Sequence, residues 1–381
     1  MLTVSIFFGI AIIAVVLLDA FETVVLPRRV TRHFRLTAWF YRRTWRPWIR
    51  LARLIRSSNR RETLLSYFGP LSLILLLAFW AAGLIFGFAL LQHGAGQHVR
   101  LGDEPITFGT LIYHSGETFF TLGYGDIVPS NGLARALAVI EAGMGFAFLG
   151  VVIGYLPVVY QAFSVRELEI SKLDARAGSP PSAAEFLSRL GCCPDQLVLD
   201  QIFRAWEHWS TDLLANQLSY PVLTFFRSQH SNQSWLGALT VMLDVTSLVL
   251  AGIEGIPKDQ AKLTFAMARH AAVDLAQVVN ARYDPHAPDR LSGEQLAQLR
   301  QALTAAGLRV RQDDEADQKL AKLRSMYEPY VQAIARNLMI ALPPWIAAEK
   351  KRDNWQGGPW DKMIQATGLG DVGRRVRDEH F

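Results

Sequence analysis

Three long apolar stretches predict that this chain is an all-α membrane protein. Half of its 381 residues are hydrophobic, and its mean hydropathy is positive. Residues 2–27, 64–91 and 133–160 are each predominantly apolar and long enough to cross, as a helix, a hydrocarbon core about 30 Å thick. The first stretch has no basic start and no small-residue cleavage site. We therefore expect residues 1–27 to form a retained transmembrane helix rather than a signal peptide.

The loop that follows the first apolar stretch is strongly basic. It has twelve arginines and no acidic residue between Arg28 and Arg61, although the whole protein carries a net charge of +5. A short loop of this kind is predicted to remain in the cytoplasm. The chain would then be a multi-pass protein of the cell (plasma or inner) membrane, with its N-terminus and residues 93–105 outside and its C-terminus in the cytoplasm.

Residues 28–62 are predicted to be an interfacial segment whose arginines contact the anionic headgroups of membrane lipids. Its tryptophans would lie at the lipid interface (Trp39, Trp45 and Trp48). Arg50, Arg53 and Arg56 recur at every third position, a spacing that is also typical of voltage-sensing helices. A voltage sensor needs surrounding helices to shield its charges, and a single apolar stretch precedes these arginines. The interfacial interpretation is therefore preferred.

Four acidic residues lie in or beside apolar stretches, where a charge is unfavourable. Asp19 and Glu22 come near the end of the first stretch, and we expect them to be solvated at the interface or paired with nearby arginines. Glu141 lies inside the third stretch and should face protein or a water-filled cavity. Residues 235–253 could also span a membrane, but this would bury Asp244 at about 2.5 to 3.5 kcal/mol. We predict instead a buried helix in which Asp244 is paired.

The segment between the second and third stretches predicts a pore. Its sequence, ITFGTLIYHSGETFFTLGYGDIVPSN, is too short to cross the membrane twice as helices, so it should enter and return on one side. Residues 107–120 are predicted to be helical, and residues 121–125 should run back as extended chain. Non-helical backbone at membrane depth is tolerated only where it is buried in protein or lines a water-filled path.

A pore that removes water from a cation must replace it with oxygens at fixed distances. Consecutive backbone carbonyls can do this if they face one axis, which requires positive φ at some residues, and glycine adopts positive φ at little steric cost. Gly123 and Gly125 meet this requirement, the Thr121 hydroxyl can add oxygens, and Tyr124 can act as a rigid strut. The preceding helix would direct the negative end of its dipole at the cation.

The hexamer TLGYGD at residues 121–126 resembles the signature sequence of tetrameric potassium channels. The resemblance covers about residues 64–160 and implies an outer helix, a pore helix, a selectivity filter and an inner helix. It implies a potassium-selective channel in which K⁺ is the permeant ion, with no catalytic residue and no cofactor. The filter and K⁺-binding positions carried over are Thr121, Leu122, Gly123, Tyr124 and Gly125. The family usually has valine or isoleucine at the position of Leu122 and threonine at the position of Phe120. These differences leave conductance and sensitivity to blockers open.

Further roles also follow from the resemblance. Glu117 and Asp126 resemble the carboxylate pair behind the filter of simple two-helix bacterial channels, where the two groups would share a proton and support the filter. Gly145 falls at the family's gating hinge, and Pro157 removes a backbone hydrogen bond further along, so both are hinge candidates. Close helix packing explains Gly145 equally well. One filter copy per chain cannot surround an ion, so a closed homotetramer is implied.

The remaining residues predict an α-helical cytoplasmic domain over 164–381, after a pore domain over 63–163. Basic and acidic residues are nearly balanced there, and apolar residues recur at helical spacing, as in Leu199, Ile202, Phe203 and Trp206. Ser292 and Gln295 are spaced to cap a helix. The domain is expected to assemble the channel or gate it in response to a stimulus or regulatory ligand that the sequence does not specify.

Other functions have weaker support in the sequence. GLGDVG at residues 368–373 spells a dinucleotide fingerprint, but no strand precedes it. His270 and Asp274 make at most half a metal site, and the adjacent Cys192 and Cys193 allow no disulfide framework. We expect no enzyme and no nucleic-acid partner. A non-selective cation channel, a potassium-uptake transporter subunit and a signalling receptor with a vestigial pore remain alternatives.

Overall fold

The computed structural model describes residues 2–26, 35–96, 99–100, 106–191, 196–230 and 232–347. It confirms an all-α membrane protein, with a two-stranded pairing as the one small sheet in the described part. The chain divides into two compact units, Met1–Ala162 and Phe163–Phe381. Several features that the sequence singled out lie outside the described residues (Arg28, Arg29, Arg32, Cys192, Cys193 and residues 368–373).

The described residues of the first unit form five helices, the last of which continues into the second unit, and two short strands. They are α1 (Leu2–Ala20), which a π-helical turn (Phe21–Val25) continues, α2 (Leu36–Leu54), α3 (Ser58–Gly94), β1 (Val99–Arg100), α4 (Phe108–Phe119), β2 (Val128–Pro129) and α5 (Gly132–Ala177). Leu2–Val25, α3 and α5 are long and apolar enough to cross a membrane and coincide with the three predicted stretches. Both α3 and α5 extend well beyond the apolar residues that predicted them.

Asp19 is completely buried, so the expectation of interfacial solvation is wrong for this residue. Its Oδ2 accepts hydrogen bonds from the Thr37 backbone N–H at 3.0 Å, from the Thr37 hydroxyl at 2.6 Å and from Trp80 Nε1 at 3.1 Å. The first N–H groups of a helix lack intrahelical partners and attract negative charge. Asp19 therefore caps α2 and joins it to α1 and α3. The predicted arginine pairing is confirmed for Glu22, which is 3.9 Å from Arg35.

Helix α2 packs its aromatic face on α3, which corrects the expectation for one of its three tryptophans. Trp45 is buried, with its ring 4.6 Å from that of Phe68. Trp48 donates from Nε1 to the Leu64 carbonyl at 3.2 Å, whereas Trp39 stays partly exposed. A neighbouring apolar helix and a lipid acyl chain favour the same residue types, so the pattern alone could not separate them.

The second unit surrounds one buried helix. It contains the last part of α5 followed by α6 (Ala183–Leu190), α7 (Gln196–Ser219), a 3₁₀ turn (Pro221–Phe225), α8 (Trp235–Gly252), α9 (Asp259–Val278), α10 (Gly293–Ala305), α11 (Asp314–Ser325) and α12 (Glu328–Leu338). Every residue of α8 is buried, as predicted for a helix in a protein core. The Ser292–Gln295 capping box is also confirmed at the start of α10.

A buried ion pair holds the centre of α8. Asp244 Oδ2 lies 2.7 Å from Arg290 Nη2, and Asp244 Oδ1 accepts a hydrogen bond from the Tyr327 hydroxyl at 2.6 Å, which confirms the predicted pairing. Arg290 also contacts Glu328 at 3.4 Å and donates to the Pro343 carbonyl at 2.9 Å. Burial raises the pKa of Glu328, while Arg324 and Arg290 oppose the rise. The cluster joins α8 to α12 and to the chain that follows it.

The end of α5 belongs to the core of the second unit. Arg166 is buried and donates to the carbonyls of Leu223 at 2.8 Å and Phe226 at 3.0 Å, while its own carbonyl accepts from Trp209 Nε1 at 3.0 Å. Its guanidinium also pairs with Glu167 at 3.0 Å. Because each guanidinium nitrogen of Arg166 has an acceptor, its burial is compensated. The C-terminal part of α5 is thereby fixed to the 3₁₀ turn and α7.

Candidate selectivity filter and its supports

Helix α4 is positioned by its cap and by an apolar cluster behind the loop. The Thr107 hydroxyl accepts from the Thr110 N–H at 3.2 Å, and the Thr110 hydroxyl accepts from the Thr107 N–H at 3.2 Å. Such a reciprocal cap defines where the helix begins. Leu111 is completely buried in a cluster with side chains from α3, β1 and the chain after the loop (Ala89, Val99 and Ile127). The helix predicted over 107–120 is thus observed as Phe108–Phe119.

A Schellman motif ends α4 and begins the loop. The Leu122 N–H donates to the Glu117 carbonyl at 2.8 Å, and the Thr121 N–H donates to the Thr118 carbonyl at 3.0 Å. This pair of bonds requires a left-handed residue, usually glycine, just past the end of the helix. Thr121 occupies that position with φ of 56°. A threonine there is uncommon, and its strain is typical of functional loops.

Residues 121–125 change the sign of φ at every step. Thr121, Gly123 and Gly125 have φ of 56°, 61° and 79°, whereas Leu122 and Tyr124 keep negative φ. Successive carbonyls of a strand alternate in direction, and a repeated change of sign removes that alternation. The positive φ expected at Gly123 and Gly125 is observed, but the sequence interpretation missed the third position, Thr121. The loop is therefore not the extended chain that was expected.

The carbonyl oxygens of residues 121–125 are free to bind a ligand. Within the described part of the subunit, none of them accepts a hydrogen bond from the protein. All five residues are exposed in the single subunit. Backbone carbonyls buried without partners are strongly unfavourable, so at membrane depth such oxygens need either water or a cation. A row of them can replace the hydration shell of a cation.

Backbone pairing holds the C-terminal end of the loop. Asp126 Oδ1 accepts from the Ile127 N–H at 3.1 Å, and the Ile127 side chain is buried. Strand β2 then pairs antiparallel with β1, with Val99 opposite Pro129. The loop is thus held at both ends, by the Schellman motif at its start and by this strand pairing after its end.

Glu117 contacts a residue that the sequence interpretation did not consider. Its Oε1 lies 3.1 Å from Nδ1 of His114, one turn earlier on α4, and both side chains are buried. Among the residues that the structure describes, its buried Oε2 has no hydrogen-bond partner. No hydrogen bond joins Glu117 to Asp126 within the described residues, so that pairing stays a prediction. The i, i+3 spacing of His114 and Glu117 was the available signal for their contact.

The two hinge candidates have different surroundings. A Cβ atom at Gly145 would overlap the Phe119 carbonyl oxygen and lie 2.7 Å from its carbonyl carbon, so α5 crosses the end of α4 at this glycine. Close packing, which the sequence left as the alternative, is therefore observed here. Pro157 lies inside α5, which continues to Ala177. A hinge at either residue remains a prediction.

Comparisons with known proteins agree with this geometry. Residues 74–161 match the family model described as "Ion channel". The match covers most of α3, then α4 and the loop, and the first part of α5 to just past Pro157. This part of the chain is therefore similar to an ion channel domain. This match favours a channel over an enzyme, and it does not distinguish one permeant ion from another.

One relative extends the similarity beyond this domain. The chain is 26% identical over 199 residues to a protein of Bacillus subtilis (strain 168) described as "Uncharacterized membrane protein YdjJ". The alignment covers 51% of this chain and 57% of the relative, so the chain spans little more than half the length of that protein. No solved structure matches the chain.

Proposed function

We propose that this protein is a potassium-selective channel through which K⁺ passes passively down its electrochemical gradient. The observation that carries the proposal is the loop of residues 121–125, with its alternating sign of φ and its five unpartnered carbonyls. These oxygens would substitute for the water around a dehydrated K⁺ ion. The Thr121 hydroxyl would add a further ring of ligands at the inner end. The pore-helix dipole would favour positive charge at the same place.

A homotetramer completes this site. The loop is exposed in the single subunit. Irregular backbone cannot face lipid, so in a membrane the loop must be covered by protein or line a water-filled path. Helix α5 also exposes large apolar side chains, and its Phe146 is 74% exposed. Four copies around one axis would cover the loop with other copies of itself and surround an ion on all sides, as closed cyclic symmetry allows. The cytoplasmic unit would assemble or gate this pore.

Selectivity for K⁺ over Na⁺ should depend on the backbone geometry that Tyr124 maintains. We expect Tyr124→Asp to lower the K⁺ to Na⁺ permeability ratio by about tenfold or more, equivalent to about 1.4 kcal/mol. The reason is that loss of the ring leaves the adjacent carbonyls unsupported. Tyr124→Phe, which removes the hydroxyl alone, is the matched control and should stay selective. Reversal potentials in planar bilayers measure the ratio, and an unchanged value for Tyr124→Asp would contradict the assignment of the filter.

We also propose that α2 lies on the anionic headgroups of the cytoplasmic leaflet. Arg46, Arg50 and Arg53 are exposed, and no carboxylate lies within ion-pair distance of them in the described part of the chain. Arg56 lies past the end of α2, so the predicted row of three does not form one helical stripe. Polybasic segments gain about 1 kcal/mol for each basic residue near an anionic surface.

Replacing these three arginines should therefore weaken lipid binding. The variant Arg46→Gln/Arg50→Gln/Arg53→Gln is expected to retain less phosphatidylglycerol than the unmodified protein, with phosphatidylcholine retention unchanged. Native mass spectrometry of the detergent-purified full chain measures both lipids. Arg204→Gln is the control, because Arg204 is also exposed but pairs with Asp200 at 2.7 Å. Equal phosphatidylglycerol retention by the triple variant and the control would contradict this proposal.

A further inference from the structure

Glu141 is a buried acidic residue for which ion conduction has no evident use. It lies in α5, and its side chain is completely inaccessible. Its Oε1 contacts the Ser115 hydroxyl on α4, and its Oε2 accepts from Gln92 Nε2 on α3 at 3.2 Å. No basic side chain pairs with it among the residues that the structure describes. Glu141 therefore joins three helices behind the loop and does not line the ion path.

The number of hydrogens in this contact indicates the protonation state of Glu141. The Ser115 hydroxyl has one hydrogen, yet its oxygen lies close to two acceptors, the Glu141 carboxyl and the Ile85 carbonyl at 2.8 Å. Both contacts are satisfied if Glu141 carries the proton. Gln92 then donates to Glu141, Glu141 donates to Ser115, and Ser115 donates to Ile85. A carboxylate would leave the Ile85 carbonyl without this donor and would bury an unpaired charge.

The face of α5 that carries Glu141 makes a second contact with α4 one turn further along. Gly145 follows Glu141 by four residues, and Phe119 follows Ser115 by four residues, so each pair lies on one face of its helix. Glu141 meets Ser115, and Gly145 meets the Phe119 backbone. Two contacts one turn apart fix both the rotation and the height of α4. Phe119 is the last residue of α4, immediately before the loop.

We propose that Glu141 is a positioning residue, held as a neutral carboxylic acid, that fixes the pore helix and thereby the carbonyls of the filter. The effect of Glu141 on the filter rests on the proposed function. The tie, by which we mean the hydrogen bonds of the neutral Glu141 side chain to Gln92 and Ser115, does not. Gln92 and Ser115 are its partners, and the Ile85 carbonyl terminates the chain of hydrogen bonds. The tie acts through α4 and contacts no permeant ion.

Two substitutions at this position separate the tie from general packing. Glu141→Gln keeps a donor and an acceptor in nearly the same places, so we expect wild-type selectivity and wild-type thermal stability of the tetramer. Glu141→Leu has a similar volume and no polar atom, so we expect a several-fold lower K⁺ to Na⁺ permeability ratio and a lower melting temperature. Ser115→Ala should show the same losses to a smaller degree. The double variant Ser115→Ala/Glu141→Leu should lose little more than Glu141→Leu alone, because both substitutions remove the same contact between Ser115 and Glu141.

Infrared spectroscopy of the full chain gives a readout that does not depend on conduction. The unmodified protein should show the carbonyl band of a protonated, hydrogen-bonded carboxylic acid, and Glu141→Gln should lack it. Persistence of the full band in Glu141→Gln would overturn the neutral acid. Unchanged selectivity and stability in Glu141→Leu would overturn the positioning role. If the unmodified protein showed no K⁺ selectivity, the proposed function would fail, and the infrared result would still decide the state of Glu141.

Discussion

Gly145→Ala should abolish K⁺ flux, because the new methyl group would overlap the backbone of Phe119. The Phe119 carbonyl carbon would lie 2.7 Å from the added Cβ, and backbone atoms cannot move aside as a flexible side chain can. Overpacking of this kind costs about 1 to 3 kcal/mol or more when the backbone must shift. The shift would move the Schellman motif that begins the loop of residues 121–125. Flux through liposomes that contain the purified variant measures the effect.

Gly143→Ala is the matched control for this substitution. Gly143 lies two residues earlier on α5, and beyond the neighbouring backbone of α5 no described atom lies within 4 Å of a Cβ placed there. Alanine favours a helix over glycine by about 1 kcal/mol, so this variant should conduct normally. The assembly of the purified Gly145→Ala variant separates the two interpretations of Gly145. Loss of a hinge would change opening and leave assembly intact, whereas loss of packing would change assembly as well. Normal flux and selectivity in Gly145→Ala would contradict the close approach.

Asp244→Ala should lower the free energy of unfolding of the second unit by about 3 to 5 kcal/mol. The substitution leaves the Arg290 guanidinium buried without its main partner, and it also removes the acceptor for the Tyr327 hydroxyl. Hydrogen exchange of the α8 amides in the full chain measures the change, since these amides should exchange through the opening of the whole unit.

Asp200→Ala provides the comparison, because Asp200 pairs with Arg204 at 2.7 Å on the surface. An exposed pair contributes up to about 1 kcal/mol, so exchange of α8 should change little in this variant. Equal protection of α8 in the Asp244→Ala variant and the unmodified protein would show that the buried pair does not stabilise the unit.

Local patterns were sufficient to predict the main helices and the loop. Hydropathy and length located the spans, and the glycines at 123 and 125 predicted positive φ because no other residue adopts it at so little cost. Thr121 was missed because its backbone is set by the two hydrogen bonds that end α4, and threonine gives no sign of that role in sequence. If the end of α4 had been known, the positive φ of Thr121 could have been predicted, because the residue after a helix C-cap is commonly left-handed.

Tertiary partners could not be predicted in the same way. The sequence indicated that Asp19 and Glu141 need polar surroundings, but their partners lie far along the chain. Gln92 precedes Glu141 by 49 residues, and Trp80 follows Asp19 by 61 residues. An unfavourable charge in an apolar segment predicts that a partner exists, whereas its identity depends on how the helices pack. The same limit applies to Trp45, which is buried against α3, and to Trp48, which donates a hydrogen bond to the Leu64 carbonyl.

The central claim is that the carbonyls of residues 121–125 in a tetramer select K⁺. The most direct test is the reversal potential of the unmodified full chain in a planar bilayer, with K⁺ on one side and Na⁺ on the other, while pH and voltage are varied to open the pore. A reversal potential displaced strongly in the direction set by K⁺ is the predicted result. A reversal potential near zero, or no single-channel current under any condition, would contradict the claim.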